Sequence, residues 1–310
     1  MMALCTCWRL FQWRARCWRY FCLRLIRNGL RSWRQVRMAR LEISKGEALY
    51  YEYVAPTASA PEAKTFVFVN ALTGNTGMWS GTICAQLHEA GFGTLCYNFR
   101  GQVDTEFADK TALTPSLIVE DLKLLMEKIA PPSPILVGLS IGGLFAAQAF
   151  VAGAEACGLV LINTLRKPSQ RLNWINQAMV AMAKLGGGRL VMTANMPMIA
   201  SPDLLAKMYD ATFTDEPFEA PSENDGLLRL MIGSLETNWN FAYEKLNVPV
   251  LILTGKFDRI FRIEEDIAEL KTRIPDAIEK RYVDAGHLIP LEVPETLVRE
   301  LIDFAEVFND

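Results

Sequence analysis

From Thr65 onward the chain alternates between short, nearly all-apolar runs and longer segments with apolar residues at helical spacing. The runs Thr65–Val69, Thr94–Asn98, Ile135–Leu139, Leu159–Asn163, Val250–Leu253 and Lys280–Val283 have strand length and are bounded by turn residues. Continuous rather than alternating apolarity is the pattern of strands covered on both faces. Between them, Gly77–Ala90, Pro115–Ala130, Ile141–Ala152, Arg262–Arg273 and Pro294–Phe308 read as helices. Strands alternating with helices predict an α/β protein with a mostly parallel central sheet, and right-handed crossovers place helices on both faces. Ahead of this array, Leu41–Val54 alternates weakly about Lys45-Gly46 like an edge hairpin, and residues 55–63 (APTASAPEA) form a Pro/Ala/Ser connector.

One interval breaks the rhythm. Between Leu165 and Val248 no strand pattern occurs, yet Leu172–Leu185, Pro202–Ala211 and Asp225–Leu235 have helical spacing. The expected organisation is therefore an α/β core made of residues 38–165 and 248–310, a helical cap or lid over 166–247, and an N-terminal arm over 1–37. Seven of the twelve methionines fall in the insertion: Met179, Met182, Met192, Met196, Met198, Met208 and Met231. At any one position a methionine is a gap-filling core residue, but seven together suit an adaptable apolar pocket wall. Met179, Met182, Met196 and Met198 are the expected substrate-pocket residues.

Composition narrows the class. With 51% hydrophobic and 22% charged residues the chain buries a large core, which excludes global disorder. Ile129–Ala154 has no charged residue and is long enough to span a bilayer. Its three prolines and the cluster Gly138, Ser140, Gly142 and Gly143 instead predict a buried strand, a glycine turn and a buried helix. The net charge of −3 is an average of unlike parts: residues 1–40 hold ten arginines and no Lys, Asp or Glu, which leaves 22 basic against 35 acidic residues in the rest. A body at −13 is a poor match for nucleic acid or an anionic membrane. Beyond the arm only Cys84, Cys96 and Cys157 occur, an odd, scattered trio that suits reduced thiols and a cytoplasmic location. Two histidines, His88 and His287, with no CxxC and no HExxH, give no basis for a metal, and no cofactor is expected.

The sharpest local signal is Gly138-Leu139-Ser140-Ile141-Gly142, a G-x-S-x-G. The bare motif is weakly specific; its setting, an apolar strand entering and an Ala-rich helix leaving, is much stronger. Small residues two before and two after the serine let a strand turn abruptly into a helix and project the hydroxyl from the sheet edge. Such a serine needs an adjacent base, since its alkoxide is inaccessible near neutral pH. His287 follows the last strand in Asp284-Ala-Gly-His-Leu-Ile-Pro290, whereas His88 lies within a helix and reads as a helix-surface residue. Asp258, after the strand and turn glycine of Leu253-Thr-Gly-Lys-Phe-Asp258, is placed to orient that histidine. The chain order Ser140, Asp258, His287 is the order this arrangement uses.

At GLSIGG (138–143), LTGKFDRI (253–260) and DAGHLIP (284–290) the chain resembles the α/β-hydrolase-fold serine hydrolases, over roughly residues 41–310. Small serine esterases, enol-lactonases and lipase-like enzymes are the most similar in kind; relatives with an aspartate nucleophile are disfavoured by Ser140. The resemblance implies an oxyanion hole of the backbone N–H groups of Ile141 and Leu72. It also marks a departure, because relatives commonly have His-Gly where this chain has Asn70-Ala71. A second is Asn98-Phe-Arg-Gly-Gln102, where Asp-x-Arg-Gly is frequent, and which reads as a structural turn. The implied activity is hydrolysis of a carboxylic ester or lactone with an apolar acyl group, through an acyl-enzyme. An acyltransferase of the same fold and a non-catalytic ligand-binding relative remain the alternatives. For the arm, the favoured reading is a translation start at Met38; otherwise it is a targeting presequence or a membrane-surface anchor, the one source of membrane contact.

Overall fold

The computed structural model describes residues 37–57 and 63–306; except for Arg37, the arm lies outside the described residues. Eight strands form one sheet: β1 (Arg37–Ser44), β2 (Glu47–Val54), β3 (Thr65–Val69), β4 (Gly93–Tyr97), β5 (Pro134–Leu139), β6 (Gly158–Ile162), β7 (Val250–Gly255) and β8 (Ala277–Tyr282). Their order is β1-β2-β4-β3-β5-β6-β7-β8. Strands β3 to β8 pair in parallel throughout, and the β1–β2 hairpin adds to β4 antiparallel as an edge ribbon. The fold class is thus α/β with a mostly parallel sheet, as the apolar pattern predicts.

Nine helices accompany the sheet among the described residues: α1 (Thr82–Glu89), α2 (Pro115–Ile129), α3 (Ile141–Val151), α4 (Gln170–Ile199), α5 (Pro202–Thr212), α6 (Gly226–Gly233), α7 (Glu264–Thr272), α8 (Ile289–Glu292) and α9 (Pro294–Glu306). Strand periodicity divides the core. In β3, Val67 and Val69 join Leu122 of α2, Phe145 of α3 and Leu270 of α7 on one face. Phe66 and Phe68 turn to the other face, against Leu87 of α1 and Leu301 of α9. The charge-free stretch resolves into β5 and α3, and no helix among the described residues is long and apolar enough to cross a membrane.

The 98–102 turn is held from within. Arg100, 5% exposed, donates from Nε and Nη2 to Asp121 at 2.8 and 2.6 Å and from Nη1 to Glu47 at 2.9 Å. This fork-to-fork pair satisfies a cation that burial would otherwise penalise heavily.

Three differences from the sequence expectations have physical causes. Strand β8 begins at Ala277 rather than Lys280, because as the terminal strand it is half exposed and carries charged side chains. The second half of α4 has no counterpart in the predicted helices, the first of which stops at Leu185, just before Gly186, Gly187 and Gly188. The chain does kink there, with Gly187 at φ +63°, and then continues helical through Pro197 to Ile199. Lastly, Trp239, Phe241, Tyr243 and Leu246, placed in the insertion by sequence, pack into the same core as β6 and β7.

Candidate active site

Parallel strands deliver the candidate residues to one edge, the carboxyl ends of β5, β6 and β7 and the loop after β8, where open α/β sheets bind ligands. Ser140 sits between β5 and α3 at φ +60°, ψ −125°, a region non-glycine residues avoid. The surroundings enforce it: the Ser140 amide donates to Ile162 O at 2.7 Å, and the Gly143 amide donates to Ser140 O at 3.1 Å. A side chain at Gly138 would run into the backbone of Gly142 and Gly143, and one at Gly142 into the carbonyls of Asn70 and Val69. The glycines of the motif therefore serve the close approach of strand, helix and neighbouring loop. Ile141 opens α3, so its N–H belongs to the first turn and has no acceptor within the helix.

Asp258, in the loop after β7, and His287, in the loop after β8, meet each other. His287 Nδ1 and Asp258 Oδ2 are 2.6 Å apart, and both residues are buried. Burial raises the Asp258 carboxyl, but the His287 charge and hydrogen bond, the Phe261 amide and Arg166 outweigh it and hold the carboxyl below its ordinary value. A carboxylate only accepts, so Nδ1 is the protonated nitrogen of the pair and Nε2 is left to accept.

Two residues that sequence reasoning missed hold the histidine loop. Asn163, in the left-handed conformation at φ +49°, donates from Nδ2 to Gly286 O and His287 O at 3.1 and 3.0 Å. Its Oδ1 accepts from the Gly255 amide at 3.0 Å, so one side chain ties the ends of β6 and β7 to His287. Glu292 accepts from the amides of Gly286, Leu288 and Ser201 at 2.9, 3.0 and 2.7 Å.

The loop after β3 is fixed through Asn70. Asn70 Oδ1 accepts from Trp79 Nε1 at 2.7 Å, and Nδ2 donates toward Tyr97 O, Asn98 Oδ1 and Gln102 Oε1 at 2.8, 3.2 and 2.9 Å. Gln102 in turn donates from Nε2 to Ala71 O and Leu72 O at 3.0 and 3.2 Å. Leu72 packs against both the sheet core and the cluster formed by α4 and α6.

A third missed residue is Arg166. It is 6% exposed, and its Nη2 donates to Ser140 Oγ at 2.8 Å and to Asn163 O at 3.0 Å. Its guanidinium carbon lies 4.0 Å from the centre of the Phe261 ring, and that ring is 5.0 Å from His287. Burial pulls the guanidinium down to about 10 against the raising effect of Asp258, so it remains a cation at neutral pH. The available signal is positional: a basic residue in the loop after a fully buried strand, at the ligand-binding end of the sheet.

The remaining expectations separate. His88 is half buried, not on the helix surface, with Nε2 2.8 Å from Thr94 Oγ1, and takes no part in the site. Met179, Met182 and Met198 line an open groove of about 590 Å³ with Trp174, Arg259 and Ile260. Met196 lies instead in a buried cluster with Ile199, Leu204 and Leu288, on the inner side of α4. Ser140, Asp258 and His287 are not among the groove's lining residues.

The family model described as alpha/beta hydrolase fold matches residues 64–294. Among solved structures, the chain is similar to MGS-M2, an alpha/beta hydrolase enzyme from a Medee basin deep-sea metagenome library, at 20% identity and a TM-score of 0.71, covering 86% of this chain and 96% of that one. It is similar to the esterase EaEST from Exiguobacterium antarcticum at 15% identity and TM-score 0.69, covering 87% and 98%. The enol-lactonase from Burkholderia xenovorans LB400 follows at 20% identity and TM-score 0.68, covering 84% and 96%. Comparison by sequence with curated proteins finds no match.

Proposed function

The chain belongs to the alpha/beta hydrolase fold family, and from that premise we propose that it is a serine hydrolase of carboxylic esters or lactones. The observation that carries this reading is the pairing of two features at one sheet edge. Ser140 is held at a strained elbow, and His287 is bound through Nδ1 to a buried carboxylate, which leaves Nε2 as the proton acceptor.

In the proposed sequence His287 Nε2 takes the Ser140 hydroxyl proton as Oγ attacks the acyl carbon. The N–H groups of Ile141 and Leu72 receive the developing oxyanion, and Asp258 stabilises the imidazolium. Collapse expels the alcohol, which leaves with the proton from His287, and forms the acyl-enzyme. Water then loses a proton to His287, attacks the acyl carbon and releases the acid, returning the proton to Ser140. The helices between β6 and β7 act as the cap, and the groove of Met179, Met182 and Met198 takes an apolar part of the substrate.

The test is hydrolysis of p-nitrophenyl acetate together with labelling by a fluorophosphonate. Wild type is expected to turn over and to be labelled, and Ser140→Ala to lose both while keeping its circular-dichroism spectrum and urea midpoint. Unchanged turnover in Ser140→Ala would overturn the assignment.

A further inference from the structure

Two arginines are buried among the described residues, and they are buried in different ways. Arg100 is held by a bidentate carboxylate and a second acid, as a structural cation requires. Arg166 is as deeply buried, yet no carboxylate lies within ion-pair distance of it among the described residues. The acid whose charge it feels, Asp258, is already bound to His287 and to the Phe261 amide. Its guanidinium lies over two rings, with the carbon 4.0 Å from the centre of Phe261 and 4.9 Å from that of Trp239. Stacking of this kind fixes the plane of a guanidinium and leaves its N–H edges open. One of those edges is bare: Nε is buried without a hydrogen-bond partner. Nη2 is spent on a serine hydroxyl and one carbonyl.

We infer that Arg166 is an anion subsite of the active site, and that the substrate carries a carboxylate a few bonds from the acyl carbon that Ser140 attacks. The inference rests on the reading of Ser140 as nucleophile. A carboxylate matches the planar fork of a guanidinium, and the unpaired Nε marks the edge that lacks its acceptor. The location fits the reaction course. While Ser140 is free, its hydroxyl oxygen serves as a stand-in acceptor for Nη2. Once Oγ is acylated it is an ester oxygen, a poorer acceptor, and Nη2 turns to the substrate's own oxygens. The carboxylate is bound, not cleaved: the bond broken remains the ester C–O. The flanking Phe261 and Trp239 rings exclude water from this contact, which strengthens it. An uncharged ester gains none of this and leaves the cation unpaired.

The experiment compares monoethyl succinate, glutarate and adipate with uncharged esters of matching length, such as ethyl 5-oxohexanoate for monoethyl glutarate, by ethanol release at fixed ionic strength. At least one half-ester is expected to exceed its uncharged match at least ~10-fold in kcat/KM, a gap of ~1.4 kcal/mol in transition-state binding. Arg166→Gln is expected to bring that ratio to about one, and Arg166→Lys to keep part of it. Uncharged esters cleaved as well as half-esters at every length would overturn the inference and leave the ester-hydrolase reading standing. Binding is read separately by the thermal shift of Ser140→Ala. Glutarate should raise its Tm and neither acetate nor inorganic phosphate should match it, with the shift lost in Ser140→Ala/Arg166→Gln. No shift with any dicarboxylate, or a larger one with phosphate, would overturn the carboxylate assignment. Failure of fluorophosphonate labelling in wild type would sink the hydrolase reading instead.

Discussion

Asn70 offers a quantitative test, because its side chain is the hub of a buried network with unequal dependants. In Asn70→Ala, Asn98 Oδ1 keeps the Thr76 amide and Gln102 Oε1 keeps the Phe99 amide. Trp79 Nε1 does not: the ring is fully buried and its one hydrogen bond runs to Asn70. An orphaned buried donor costs about 1–3 kcal/mol, and with the other bonds weakened the expected loss is roughly 2–4 kcal/mol. That is smaller than a typical stability of about 5–15 kcal/mol, so the variant still folds. At a urea m-value of about 3 kcal/mol/M the midpoint falls by about 1 M. Trp79→Phe removes the donor and strands the amide oxygen instead, so the double variant should lose about 1–2 kcal/mol less than the two singles combined. Urea melts of the four proteins measure this, and additivity within about 0.5 kcal/mol would refute the network account. Activity gives a second reading: Gln102 is oriented by Asn70 and holds Ala71 and Leu72, so kcat for p-nitrophenyl acetate should fall about 10–100-fold, as for displaced catalytic groups generally.

Further expectations concern the acids and the elbow. Asp258→Asn should lower kcat about 10⁴-fold, by analogy with triads whose acid is made an amide. Because the folded Asp258 carboxyl lies below its ordinary value, its contribution to stability is complete above about pH 4 and is lost as pH falls through the folded value. Wild type should therefore lose more urea stability than Asp258→Asn between pH 5 and 3, and equal losses would contradict the assigned direction. Asp121→Asn leaves Arg100 buried against one remaining acid and should cost about 3–5 kcal/mol in chemical denaturation. Gly142→Ala directs a methyl into the carbonyls of Asn70 and Val69, the latter 2.5 Å away, and should yield little soluble protein; wild-type expression and melting would show that the elbow has slack.

The parts legible in the sequence were those specified locally. Strands covered on both faces read as unbroken apolar runs, and Ser140, Asp258 and His287 each follow a strand and a turn signal. Residues whose role depends on distant partners were not legible. Arg166 reads as the first residue of the helical insertion until Trp239 and Phe261, far along the chain, come to lie against it. Asn163 reads as the last residue of a strand until the Gly286–His287 loop arrives beside it. In α4 local signals were misleading, since three glycines kink the helix where they would usually end one. The methionines were recognisable as a group, but which of them face the groove depends on the helix phase after that kink.

The insertion leaves the sheet after β6 and returns at β7, two neighbouring parallel strands; Arg166 lies between β6 and α4, and Asp258 follows β7. The insertion is tied back to the core: the His287 and Arg259 amides donate to Ile199 O and Met198 O at 2.6 and 2.8 Å, and the Ser201 amide donates to Glu292. Grafting the corresponding segment from another member of the family onto residues 170–195 would replace Met179 and Met182 of the groove while keeping the Met198, Ile199 and Ser201 contacts that hold the loops of Asp258 and His287. In such a chimaera size selectivity would travel with the donor segment and charge selectivity would stay with the recipient, so the two traits could diverge independently in evolution.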